Sequence, residues 1–182
     1  MMTLIIGGSG SGKSSYAEDY IATCSKDSRK YYIATMQVFD KEGQAKVEKH
    51  QKMRENKGFH AIEQPISIGK VLEKTGDTPV SESTALLECI SNLVANEMFF
   101  GNEPKEIKRI TEKIIREVEQ LNKSFKHLVI VTNNIFEDGM IYDETTMDYI
   151  QAMADINKKL AMMADKVIEI VVGIPVVLKE GK

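Results

Sequence analysis

Eight residues near the start of the chain, Gly7-Gly8-Ser9-Gly10-Ser11-Gly12-Lys13-Ser14, have the types and spacing of a phosphate-binding loop. The glycines let successive backbone N–H groups turn inward around a phosphate chain. Lys13 is placed to reach the β- and γ-phosphates of a nucleotide, and the Ser14 hydroxyl to ligate magnesium. A helix starting here adds its partial positive charge to the same site. Such a loop needs an acidic magnesium partner at the end of a second core strand. Thr84-Ala85-Leu86-Leu87-Glu88 supplies one in Glu88, which also admits the plainer reading of a strand-terminal acid. A third cluster lies in QAKVEKHQKMRE (44–55), where His50 and Arg54 stand four apart and share a face of any helix formed there. A histidine beside a phosphate-binding guanidinium suits nucleophilic attack on phosphorus, through a phosphohistidine-type intermediate. From composition alone the segment reads sooner as a solvated charged helix. His60 and His127 each enter or flank a strand and read as structural or surface residues.

The elements that must hold these groups alternate along the chain. Apolar runs at 3–6, 31–34, 84–87, 128–132, 167–172 and 176–179 are near-continuous rather than alternating. That pattern predicts the strands of a parallel sheet covered on both faces. Helical patterns lie between them, at 13–24, about 44–54, 66–74, 92–100, 104–122 and 145–164. The clearest runs from Pro104, with Ile107, Ile110, Ile114, Val118 and Leu121 in a stripe of helical period. Strand–helix alternation predicts a three-layer α/β fold with right-handed crossovers.

Bulk properties limit the function classes. The 182 residues, 42% hydrophobic and 28% charged, predict one domain over 1–182. A net charge of −3 supplies no basic field for nucleic acid. Cys24 and Cys89 are too widely separated for a CxxC site, and neither a disulfide framework nor a zinc site is expected. With no basic leader and no apolar run of membrane length, the sequence reads as cytoplasmic.

Taken together, the motifs resemble the bifunctional adenosylcobinamide kinase / adenosylcobinamide-phosphate guanylyltransferase family. The likeness runs through GGSGSGKSSYAE, then YIAT (32–35) with Asp40 and Glu42 after it, and KVEKHQKMR (46–54). It continues through Glu63, LLECISNLVAN (86–96), IVTN (130–133) and INKKLAMMADKVIEIVVGIPVVLK (156–179). The resemblance implies a RecA-like P-loop NTPase fold with a mostly parallel sheet, and a homotrimer. It implies a corrinoid substrate, GTP, with GTP or ATP as phosphoryl donor, and Mg2+. It makes His50 the guanylylated residue and Lys13 its catalytic companion. Nucleotide contacts would come from Gly7, Gly8, Ser9, Gly10, Ser11, Gly12, Lys13 and Ser14, from Ile33, Ala34 and Thr35, from Gln51, Lys52, Met53 and Arg54, and from Glu63 and Glu88. Ser14 and Glu88 would serve the metal. The chain departs from the family pattern after Asn133, where Asn134 replaces a glutamate and Phe136 and Asp138 replace two glycines. From the residues alone, a P-loop small-molecule kinase and a non-catalytic GTP-binding module stay open beside the bifunctional enzyme.

Overall fold

In a computed structural model of the protein, the described residues are 1–25, 28–37, 57–76, 79–101, 106–134 and 142–181. In chain order the elements are β1 (Met2–Gly7), α1 (Lys13–Cys24), β2 (Lys30–Ala34), β3 (Phe59–Glu63), a 3-10 helix (Ile68–Lys74) and a short 3-10 turn (Val80–Glu82). There follow β4 (Thr84–Glu88), α2 (Ile90–Phe99), α3 (Ile107–Ser124), β5 (His127–Asn133), α4 (Glu144–Met163), β6 (Lys166–Val171) and β7 (Ile174–Lys179).

The strands form one sheet in the order β3-β2-β4-β5-β1-β6-β7. Pairing is parallel from β3 through β6, and β7 runs antiparallel to β6. Side-chain alternation gives the sheet two apolar faces. On one, Ile5, Leu86, Val129, Val131 and Ile168 meet Ala17 and Ile21 of α1. On the other, Leu4, Leu87, Leu128 and Ile130 meet α2, α3 and α4. The α3 stripe is buried as the periodicity requires, at Ile110, Ile114, Val118 and Leu121. These are the three layers expected. No helix among the described residues is long and apolar enough to cross a membrane.

Three expectations need correction. The stretch 66–74 is not an α-helix. Its buried residues Ile68 and Val71 stand three apart, which is the period of the 3-10 helix that forms. A cation set between carboxylates helps to hold the start of that turn: Lys113 of α3 bonds the buried Glu97, which also accepts from the Ser67 N–H at 2.7 Å. Second, Phe59–Glu63 is a strand that the apolar runs do not reveal, since only Ile62 of its five residues is buried. Third, the terminal apolar run is not a covered strand. Every residue of β7 is exposed at the edge of the sheet. The helix expected over 44–54 falls outside the described residues.

His127, read as structural or surface, is structural. It is buried at the start of β5, with Nε2 3.0 Å from the Thr3 hydroxyl and its ring edge-on to Tyr20. Burial, reinforced by the N-terminal ammonium and opposed by Asp165, lowers its pKa from 6.5 to about 4. The folded ring therefore stays neutral where an unfolded one takes up a proton. The stability it contributes is present above pH 6.5 and lost as pH falls through about 4. His127→Gln is expected to flatten the dependence of Tm on pH below neutrality. Between about pH 7 and about pH 5 the wild type should lose about 2 kcal/mol more than the variant. Equal losses, measured by thermal unfolding, would remove His127 as the source.

Candidate functional site

The described candidate residues meet at the C-terminal edge of the parallel strands, the edge at which open α/β sheets hold ligands. β1 delivers Gly7 there, in register with Asn133 on one side and Ile170 on the other. The chain then turns through Gly8–Gly12 into α1. Gly10 and Gly12 have φ of 72° and 89°, the left-handed region that glycine enters at no steric cost. Gly12 is the N-cap of α1 and has no side chain to cap it, so its own residue leaves the N–H groups of the first turn uncapped. The contrast within the molecule is α4, whose N-terminus is closed by the Asp143 carboxylate accepting from the Thr146 N–H. An uncapped N-terminus beneath a glycine loop is suited to an anion.

Around this loop the protein supplies its own braces. Ser11 N–H donates to Gly8 C=O at 3.2 Å, and Gly173, in the β6–β7 turn, donates to Ser11 C=O at 2.9 Å. The Ser11 hydroxyl is buried and has no partner among the described residues. Lys13 is buried to 8% exposure and its Nζ donates to Gly8 C=O at 2.9 Å. Burial pulls the Lys13 ammonium below the ordinary lysine range, while the neighbouring Cys89 and Glu88 pull it partly back. Ser14 is half-buried in the first turn of α1.

Facing the loop, Glu88 ends β4 and accepts a hydrogen bond from the Tyr32 hydroxyl at 2.8 Å. The next peptide bond, Glu88–Cys89, is cis. Parallel register puts Glu63, Ala34 and Glu88 in one row across β3, β2 and β4. Ile33 lies fully inside the core, which leaves only its backbone for any ligand. Thr35 is also buried, with its hydroxyl donating to Cys89 C=O and accepting from Cys89 N–H, both at 2.8 Å. Its side chain thus pins β2 to the turn after β4. Glu63 is exposed at the end of β3. His50, Gln51, Lys52, Met53 and Arg54 lie outside the described residues.

Several polar contacts at this edge were not legible beforehand. Asn133 donates to the Ser91 hydroxyl at 2.7 Å, and that hydroxyl lies 3.0 Å from Cys89 Sγ. Asn157 of α4 accepts from the Thr132 hydroxyl at 2.7 Å and donates to Asn133 C=O at 3.1 Å. Tyr149 donates to Ser91 C=O at 3.3 Å, and burial pushes its phenol up to about 12. This chain of polar contacts ties α4, β5 and α2 together beside the loop. Its only advance signal was the polar pair ending a strand, Thr132-Asn133.

Among the described residues, the donors the sequence predicts for a metal are the oxygens of Ser14, in the first turn of α1, and Glu88, at the end of β4. Among the described residues no three His, Cys, Asp or Glu side chains gather into a cage. A pair of hard oxygen donors fits magnesium, which is ordinarily held by one or two protein groups with the phosphates of its nucleotide.

Comparison with known proteins agrees with this geometry. The family model for cobinamide kinase / cobinamide phosphate guanyltransferase matches residues 3–178. The bifunctional adenosylcobalamin biosynthesis protein CobU of Escherichia coli is 30% identical over 189 residues, covering 98% of this chain and 100% of that protein. Its Salmonella typhimurium counterpart is 28% identical over 190 residues, with the same shares covered. Among solved structures, an ATPase domain superposes with a TM-score of 0.55 at 10% identity, over 92% of this chain and 68% of that one. That likeness concerns the fold alone and agrees with a RecA-like P-loop architecture. A glycine loop opposed by a strand-terminal acid, within a family match spanning nearly the whole chain, places the protein: it belongs to the cobinamide kinase / cobinamide phosphate guanyltransferase family, enzymes that transfer phosphorus-containing groups.

Proposed function

We propose that the enzyme performs two steps of adenosylcobalamin biosynthesis at the one nucleotide cradle, acting in the cytoplasm as one 1–182 domain per subunit. In the first, ATP or GTP gives its γ-phosphoryl group to the aminopropanol hydroxyl of adenosylcobinamide. In the second, a ring nitrogen of His50 attacks the α-phosphorus of GTP. An N–P bond forms, the bond to the bridging oxygen breaks, and pyrophosphate leaves. The phosphate oxygen of adenosylcobinamide-phosphate then attacks the same phosphorus and releases His50, giving adenosylcobinamide-GDP.

The observation that carries this reading is the uncapped α1 N-terminus with buried Lys13 facing Glu88. Backbone N–H groups and Lys13 would hold the phosphates and offset charge as it moves onto the leaving group. Ser14 and Glu88 would hold Mg2+, which when bound supplies further neutralisation of the phosphates. Arg54, four residues beyond His50, would steady the phosphate under attack. Backbone groups of Ile33, Ala34 and Thr35, together with Gln51, Lys52, Met53 and Glu63, would complete the nucleotide contacts. The homotrimer that the family resemblance implies would give cover to the apolar edge, where Val172, Ile174 and Leu178 are 86%, 64% and 58% exposed. Surface of this kind is ordinarily covered by a partner.

Labelled GTP tests the reading. With label in the α-phosphate, the wild type is expected to acquire an acid-labile, alkali-stable adduct, and His50→Ala none. Absence of an adduct in the wild type would leave a P-loop kinase if phosphate still reaches adenosylcobinamide. Absence of both would leave a GTP-binding module.

A further inference from the structure

We infer that Tyr32 is a positioning residue for the metal-binding carboxylate, setting the orientation in which Glu88 meets the cation. The inference rests on the proposal that Glu88 is a magnesium partner. It stands on the way β2 and β4 are paired. Tyr32 is in register with Leu86, and Ala34 with Glu88, so the Tyr32 ring lies on the α1 face one side-chain pair behind Glu88. Its ring packs edge-on to Phe59 with centroids 5.9 Å apart, and the residue is only 4% exposed. A ring so confined has few positions available to its hydroxyl. That hydroxyl donates to Glu88 Oε2 at 2.8 Å.

The consequence is chemical. A glutamate has three side-chain torsions, and a half-buried one at a strand end samples several of them. Fixing Oε2 by this hydrogen bond leaves Oε1 as the oxygen that could turn toward a cation. Groups that orient a metal-binding carboxylate without touching the metal commonly change affinity by about 10- to 100-fold when removed. The neighbouring Tyr31 provides an internal control. It is equally buried, sits on the opposite face of the same strand, and sends its hydroxyl to Thr75 C=O at 3.3 Å, away from the site.

The test reads metal binding rather than turnover. Mn2+ is titrated into the protein with the α,β-methylene analogue of GTP, which cannot transfer GMP, and free Mn2+ is followed by electron paramagnetic resonance. Tyr32→Phe is expected to weaken Mn2+ binding about tenfold, with binding of the analogue in chelator unchanged. Tyr31→Phe is expected to leave Mn2+ affinity at the wild-type value. In a Glu88→Gln background, Tyr32→Phe is expected to have no further effect. If Glu88→Gln weakens Mn2+ binding but Tyr32→Phe does not, the role given to Tyr32 is wrong and the metal assignment stands. If Glu88→Gln has no effect, both are overturned. Equal losses in Tyr31→Phe and Tyr32→Phe would mark a general loosening of β2 and also overturn the inference.

Discussion

Lys13→Ala is expected to slow both reactions by about a thousandfold while the protein remains folded. The magnitude follows from charge and place. An ammonium about 4 Å from a phosphate in a partly desolvated site, at an effective dielectric near 20, is worth about 4 kcal/mol. That converts to about three powers of ten in rate if it acts on the transition state. In the structure Nζ is held by Gly8 C=O and lies near Glu88. The ammonium therefore sits at the mouth of the loop, where in the proposed reaction it would exchange a carbonyl for a phosphate. Stability should change little, since removing a buried cation relieves a desolvation cost while losing one hydrogen bond and the pull of Glu88. Single-turnover rates of the proposed adduct formation at His50 and of the proposed phosphate transfer to adenosylcobinamide measure the two effects separately. An unchanged rate of adduct formation would confine Lys13 to the kinase step.

Much of the local structure around this candidate site was legible because its parts are local. The loop, its strand and its helix occupy one unbroken stretch, and α1 spans Lys13–Cys24 as the sequence pattern predicts. Glu88 was legible for the same reason, as the acid that ends an apolar run. Tyr32 was not. It reaches Glu88 only through the β2–β4 register, which brings residues 56 positions apart into hydrogen-bond contact. The same holds for Asn133 and Ser91, joined across 42 positions. β3 escaped because its pairing with β2, and not its own composition, makes it a strand: Phe59-His60-Ala61-Ile62-Glu63 buries a single residue. β7 misled in the opposite sense. An apolar run records that some surface must be covered, and cannot say whether the cover is this chain or another.

The parallel order also explains why one strand matters more than its neighbours. β1 lies between β5 and β6, so its last residue is gripped from both sides, with Asn133 and Ile170 in register with Gly7. Asn134 N–H donates to Gly7 C=O at 3.1 Å, and the β6–β7 turn is bonded to Ser11. The start of the loop therefore inherits the rigidity of the sheet, whereas its crest at Ser9 and Gly10 is exposed. A backbone cradle aimed at phosphate gains from such fixing, because its N–H groups need no reorganisation when charge shifts.

Gly7→Ala puts that claim to a severe test. A Cβ built on Gly7 would lie 2.7 Å from Ile170 C=O and 2.7 Å from the Ser11 hydroxyl oxygen. The second contact is a side chain that can rotate. The first is backbone, held in the β1–β6 ladder, and cannot withdraw without spreading the two strands. Overpacking of this kind costs about 1–3 kcal/mol. The displacement would be passed directly to Gly8, whose carbonyl anchors both Ser11 and Lys13. The variant is therefore expected to melt several degrees lower and to bind GTP at least about a hundredfold more weakly, about 2.7 kcal/mol. Gly8→Ala is the comparison, since a Cβ there meets nothing within 4 Å. It should keep the wild-type Tm. Calorimetric unfolding and titration of GTP in the presence of magnesium measure the pair. A Gly7→Ala protein with wild-type Tm and wild-type GTP affinity would mean that β6 does not grip the root of the loop, and that the cradle's geometry is set elsewhere.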